Sequence, residues 1–157
     1  MVQKELNISF EEYSSIEELN PQDKELCLKA IEAIKGSYAP YSNFLVGAAV
    51  RLSNGVIVTG ANQENAAYPS GICAERTAMF AAGANYPQEA MVSLAVVGGP
   101  NGQPCEVPAT PCGACRQVMA QYQRKGGQPM SVLLIGAGSV WKFSKVDDIL
   151  PFIFDSI

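Results

Sequence analysis

Three features of the 157-residue sequence predict an α/β fold with one mixed sheet and helices packed against it. A strand–turn–strand pattern is followed by alternating helix, strand, helix and strand patterns, the order that builds such a sheet. Apolar residues make up 48% of the chain against 17% charged, enough to bury a real core at this length. No repeat, low-complexity tract or linker divides the sequence, so residues 20–157 read as a single domain preceded by an arm over residues 1–19.

The arm is polar and mixed, a segment expected to lie on the domain. Asn20-Pro21 opens the first helix, with Asn as N-cap, Pro at the first helical position and Asp23 in the first turn. Cys27, Ile31 and Ile34, joined by Leu26 and Ala30, give this helix one buried face. Gly36 begins its stop and Pro40 forbids continuation. Residues 44–52 read as a strand and 56–59 as its partner, with Asn54-Gly55 between them tolerating the positive φ of a tight hairpin turn. An Ala-rich helix is expected from about 72 to 84, ended by Asn85. Residues 91–97 lack polar alternation beyond Ser93, as in a strand covered on both faces. A Gly/Pro-rich loop over 98–104 precedes a helix beginning at Pro111, and residues 131–135 and 140–143 supply the fourth and fifth strands.

Composition also excludes chemistry. The chain has no histidine, which removes Ser-His-Asp triads, Cys-His proteases and every His-ligated metal site. Acid–base work near neutral pH then falls to a tuned carboxylate, a thiol or a metal-bound water. A net charge of −4, with no cluster of Lys or Arg, disfavours nucleic acid as a partner. The apolar stretches are too short to span a bilayer, and the first residues lack the apolar core of a signal peptide. Five cysteines are an odd number, so no disulfide framework is expected. Together these predict no membrane partner and a reducing, cytoplasmic setting.

Two segments dominate the chemistry: Cys73-Ala74-Glu75 and Pro111-Cys112-Gly113-Ala114-Cys115. Cys112 and Cys115 at a helix start can face one point beyond its first turn, and Cys73 sits in the first turn of another helix. Three thiolates aimed at one point make a zinc site with an open fourth position, as catalytic zinc requires. Glu75, converging on that point from the helix end, would touch the metal's water and pass its proton to a substrate. Three thiolates oppose acidification of that water. Two helix N-termini, and a hydrogen bond from Arg76 to a thiolate, would offset this. Other readings stay open. Cys112 and Cys115 alone resemble a redox pair, which leaves Cys73-Ala74-Glu75 without a role. A closed, structural site would need a fourth ligand; Cys105 is the candidate, since Cys27 reads as a small apolar core residue.

These motifs stand in order with Tyr41-Ser42-Asn43-Phe44-Leu45-Val46-Gly47-Ala48-Ala49, Asn62-Gln63-Glu64-Asn65-Ala66-Ala67-Tyr68, Ile72-Cys73-Ala74-Glu75-Arg76-Thr77 and Pro111-Cys112-Gly113-Ala114-Cys115-Arg116-Gln117. Over about residues 21–155 the chain resembles the cytidine deaminase family, in its short, three-cysteine, homotetrameric branch. The resemblance implies a three-layer α/β/α sandwich with one mixed five-stranded sheet. It implies hydrolysis of cytidine and deoxycytidine to uridine and deoxyuridine with release of ammonia, a reaction of pyrimidine salvage. One Zn²⁺ per subunit would be held by Cys73, Cys112 and Cys115. Glu75 would deprotonate the zinc water, protonate N3 of the ring and help ammonia leave. The backbone of Ala74 would orient the base, Phe44 would pack against it, and Asn62 and Glu64 match a ribose-binding pair. Neighbouring subunits of a homotetramer would complete each site, with Tyr68 and a C-terminal Phe at such positions. The tail departs from the pattern by carrying both Phe152 and Phe154, and spacing from Pro151 favours Phe154.

Chemistry bears on these assignments separately. A carboxylate and an amide suit sugar hydroxyls, and Glu64 would repel a phosphate, so a free nucleoside is expected over a nucleotide. Phe44 is equally a core aromatic, and Asn62 and Glu64 could instead brace their own loop. A cytosine-bearing antibiotic is the alternative substrate, RNA editing would need positive surface, and a closed, non-catalytic zinc module is the alternative outside enzymology.

Overall fold

The computed structural model describes residues 1–155; the last two residues of the expected domain lie outside the described range. In chain order the elements are β1 (Glu11–Tyr13), α1 (Pro21–Ala33), β2 (Phe44–Leu52), β3 (Ile57–Ala61), α2 (Ala74–Asn85), β4 (Met91–Pro100), α3 (Gly113–Gly126), β5 (Ser131–Ile135) and β6 (Val140–Phe143). The strands form one sheet in the order β1-β6-β5-β4-β2-β3. Among the described strands only β4 and β5 pair in parallel; the other strand pairs are antiparallel. A parallel pair needs a crossover connection, and α3 supplies it.

Alternation along the central strands sends successive side chains to opposite faces. Val50, Leu94, Val96 and Leu134 face α2 and α3, which bury Ala78, Met79, Ala82, Cys115 and Met119 against them. Ala49, Ala95, Val97 and Leu133 face α1, which buries Leu26, Cys27 and Ala30. The result is the expected three-layer α/β/α sandwich.

Local signals explain most boundaries. Asn20 Oδ1 accepts the Asp23 N–H at 2.9 Å, and Pro21 occupies the first turn of α1. In the hairpin, of the pair Asn54-Gly55 only Gly55 takes a positive φ, +87°. Its N–H reaches Leu52 O at 2.9 Å, making a turn closed by a left-handed glycine. Strand β3 consequently begins at Ile57 and runs to Ala61, displaced from the expected 56–59. Gly60 lets this strand lie directly on α2: a Cβ there would meet Ala78 N at 2.4 Å and Ala74 O at 2.6 Å.

The sheet has six strands where five were expected, because the arm contributes one. Glu11, Glu12 and Tyr13 pair with Lys142, Trp141 and Val140 on the open edge of β6. Phe10 packs its ring 5.2 Å from Trp141 and 5.0 Å from Phe143, and Trp141 Nε1 donates to Glu12 at 3.0 Å. Three residues, two of them acidic, are too few to display a period-2 pattern. Their pairing follows from the edge they meet rather than from their own propensity. Among the described residues no helix is long and apolar enough to cross a membrane.

Candidate active site

Both cysteine segments lie at helix N-termini, but the helices begin two residues later than expected. Cys73 is the N-cap of α2 (φ −75°, ψ 153°), not a first-turn residue, and Cys112 is the N-cap of α3 (φ −66°, ψ 163°), which starts at Gly113 rather than Pro111. Neither thiol caps a backbone N–H of its own helix, consistent with sulfur being a weak acceptor. Cys115, inside the first turn of α3, is fully buried.

The three sulfurs lie within 4.8 Å of one another, with Cys73 to Cys112 at 4.0 Å and Cys112 to Cys115 at 3.6 Å. Tetrahedral zinc with Zn–S bonds of about 2.3 Å requires sulfurs roughly 3.8 Å apart, so the donor set fits that ion with one position open. Cys27 is buried on α1 and Cys105 is half-buried; among the described residues the cluster contains neither. The closed four-cysteine arrangement is therefore not assembled.

Charge in the cluster is unevenly shared. A hydrogen bond from Cys115 pulls the Cys73 thiol down to about 5 against the effect of burial, and Arg76 Nη2, 3.7 Å from Cys73 Sγ, adds to it. Cys115, as the donor, is pushed up. Glu75 follows two residues after Cys73 and is 4% exposed, with Oε2 lacking a hydrogen-bond partner among the described residues. Burial pushes its carboxyl above the usual carboxylate range.

A cleft of about 640 Å³ opens in front of these groups. Phe44, Asn62, Glu64, Tyr68, Cys73, Glu75, Arg76 and Cys112 all line it. Ala74 and Cys115 are buried behind its wall. Asn62 already braces β2: Oδ1 accepts Val46 N–H and Nδ2 donates to Phe44 O, each at 2.8 Å. One N–H and one lone pair remain for another partner. Glu64 accepts Tyr41 N–H at 2.8 Å, Ser42 N–H at 3.3 Å and the Ser42 hydroxyl. The hydroxyl, followed by the Tyr41 N–H, holds the carboxyl below its ordinary value. Tyr68 is 77% exposed and meets Tyr41 edge-on at 6.1 Å. Phe154 lies outside this cleft; it is exposed, and its carbonyl accepts from Gln117 Nε2 at 2.7 Å.

Two residues without an assigned role in the sequence reading take part. Ser42 joins the walls of the cleft, donating to Glu64 and accepting Phe44 N–H at 3.0 Å. A serine within a Pro-Tyr-Ser-Asn turn carries the local signal for such bonds. Arg116 donates from Nε to Pro111 O at 2.8 Å and from Nη1 to Ile149 O at 2.9 Å. No local signal could reveal a partner so distant in the chain.

Three thiols with an open position, a buried carboxylate beside them and a cleft in front define a zinc-dependent hydrolytic enzyme. Residues 20–126 match the model of a family described as the cytidine and deoxycytidylate deaminase zinc-binding region. The cytidine deaminase of Halalkalibacterium halodurans is 46% identical over 100 residues, 63% of this chain and 71% of that protein. The cytidine deaminase of Sporosarcina psychrophila is 42% identical over 99 residues, 63% of this chain and 68% of its own. The crystal structure of cytidine deaminase from Burkholderia pseudomallei superposes with a TM-score of 0.72 at 41% identity, covering 83% of this chain and 97% of that one. The enzyme from Mycobacterium tuberculosis gives 0.66 at 32% identity, covering 84% and 96%. The chain belongs to the cytidine and deoxycytidylate deaminase family.

Proposed function

We propose that the protein is a cytidine deaminase of pyrimidine salvage, hydrolysing cytidine and deoxycytidine to uridine and deoxyuridine with release of ammonia. The observation that carries this is the buried Glu75 Oε2, without a partner among the described residues, in the cleft lined by Cys73 and Cys112 with Cys115 clustered behind them. Cys73, Cys112 and Cys115 would hold zinc, which would supply the Lewis acidity that makes a water nucleophilic toward C4 of the ring. Glu75 Oε2 would accept the first proton that the attacking water gives up and return it to N3, then carry the second, from the new C4 hydroxyl, to the amine, which leaves as ammonia. Burial of Glu75 keeps bulk water from competing for these protons.

The remaining residues bind and orient. The Ala74 N–H is among the donors without an intrahelical partner at the start of α2 and would orient the base. Phe44 supplies a wall for the ring, and the unused capacity of Asn62 and Glu64 suits ribose hydroxyls. Glu64 disfavours a phosphate, and Arg76, the one cation among the cleft-lining residues, is engaged with Cys73. A nucleoside therefore fits better than a nucleotide. Tyr68 and Phe154, both exposed, would complete the sites of neighbouring subunits in a homotetramer. The working division is an N-terminal arm over 1–19 and a catalytic domain over 20–157, in a cytoplasmic enzyme with one zinc per subunit.

The test is deamination of cytidine and of its 5′-phosphate by zinc-replete protein, read as uridine and as uridine 5′-phosphate formed. Turnover of the nucleoside and not the nucleotide is expected. In Glu75→Gln, zinc content should stay at one per chain while turnover falls by about 10²–10⁴-fold. Turnover of a cytosine-bearing antibiotic without turnover of cytidine would overturn the assignment.

A further inference from the structure

We infer that Arg116 is a positioning residue for the metal centre, locking the Cys112 turn to the C-terminal segment and so setting how tightly the three thiols hold zinc. The inference rests on the reading of Cys73, Cys112 and Cys115 as zinc ligands. Cys115 is fixed inside α3 and fully buried, whereas Cys112 is exposed at the N-cap, where the chain arrives from a long loop. The spacing of their sulfurs therefore depends on the backbone at 111–112. Arg116 holds both carbonyls of that turn: its own N–H reaches Cys112 O at 3.0 Å, and its Nε reaches Pro111 O at 2.8 Å. The same guanidinium continues through Nη1 to Ile149 O at 2.9 Å.

Ile149 is a fixed post. It is buried with Val146 in the core that also contains Ala74 and Cys115. Its segment is strapped along α3 by further bonds: Val146 N–H to Gln123 Oε1 at 2.9 Å, Gln123 Nε2 to Asp147 at 2.7 Å and Gln117 Nε2 to Phe154 O at 2.7 Å. A planar, forked cation can bridge two carbonyls in fixed directions, which a lysine ammonium cannot. Groups that orient ligands without touching the metal typically change its affinity 10–100-fold when removed.

The experiment is competition for zinc between a chromogenic chelator and the wild type, Arg116→Ala, Arg116→Lys and Met119→Ala, with melting temperature measured in parallel. Met119 is a buried residue of α3 whose side chain has no part in the Arg116 bridge, so its truncation loosens the core around Cys115 while the bridge stays intact. Expected are one zinc per chain in the wild type, an affinity about tenfold lower or weaker still in Arg116→Ala, clear weakening in Arg116→Lys, and affinity near wild type in Met119→Ala despite its lower melting temperature. Wild-type affinity in a folded Arg116→Ala overturns the inference. So does zinc loss from Met119→Ala equal to that from Arg116→Ala at the same loss of melting temperature. If Arg116→Ala does not fold, Arg116→Lys decides: wild-type affinity there shows that charge alone suffices and overturns the bridge. A wild type that takes up no zinc overturns the metal centre itself, and this inference with it.

Discussion

Asn62 and Glu64 each make bonds within the protein before any ligand arrives. Asn62 ties Phe44 O and Val46 N–H together, and Glu64 gathers the N–H groups of Tyr41 and Ser42 with the Ser42 hydroxyl. The loop-bracing role and the sugar-binding role are thus compatible, because each side chain keeps hydrogen-bonding capacity facing the cleft. Ser42→Ala is expected to raise KM for cytidine several-fold while kcat and zinc content stay near wild type, since only the orientation of Glu64 and the entry to Phe44 are loosened. Ser42→Thr should restore KM; steady-state kinetics on the three proteins check both. Cysteine chemistry divides along burial. Desolvation, with the charge of Asp23 nearby, pushes Cys27 up to about 12. In zinc-loaded protein, alkylation at mildly alkaline pH should modify half-exposed Cys105 and spare Cys27, as read by peptide mass spectrometry.

Element packing sets how precisely Glu75 is held. A methyl group at Gly60 would press on Ala78 N and Ala74 O, so Gly60→Ala must push the first turn of α2 away from β3. Overpacking of this kind costs about 1–3 kcal/mol. A lower melting temperature and a reduced kcat are expected together, because the displaced turn carries both Cys73 and Glu75. At the other end of the sheet, β1 depends on Phe10 lying over Trp141 and Phe143. Phe10→Ala should cost ~1 kcal/mol and make the single tryptophan more accessible to acrylamide quenching, with turnover unchanged. Such elements differ in legibility. The Asn20-Pro21 cap, the apolar run of β4 broken only at Ser93 and the limits of β5 and β6 are written in local residue choices, whereas the continuation of β4 to Pro100 through residues expected as loop is not. The start of α2 and α3 is not: Cys73 and Cys112 take extended backbone as N-caps, a geometry that their helix-like surroundings do not announce.

Across the whole molecule, an ion pair joins the sheet to the first helix where the arm lies alongside. Lys142 on β6 donates to Asp23 of α1 at 2.7 Å, beside Tyr13 of β1. Burial alone would lower the Lys142 pKa, but the Asp23 hydrogen bond and charge, together with Tyr13 and Glu11, carry it above the ordinary 10.5. Tyr13 is likewise raised above 10.0, chiefly by its hydrogen bond to Glu11. Groups raised in the folded state contribute stability that is complete below their unfolded values and is lost as pH rises through the folded ones. Unfolding monitored by Trp141 fluorescence should therefore show a loss of stability beginning above about pH 10, and Asp23→Asn should blunt the part due to Lys142.

Residue identities and their spacing determined the class of fold and the chemistry. The absence of histidine, the three cysteines in two motifs and the neighbouring Glu75 restrict the metal and its acid–base partner, because ligand type follows directly from side-chain chemistry. Tertiary structure decided that Cys105 stays apart although it lies close in sequence to Cys112, leaving the three expected cysteines as the cluster. It also decided that Glu11, Glu12 and Tyr13 form a sixth strand, and that Arg116 reaches Ile149. These outcomes depend on partners far along the chain, and a side chain's own sequence neighbourhood carries no record of what packs against it from a distance.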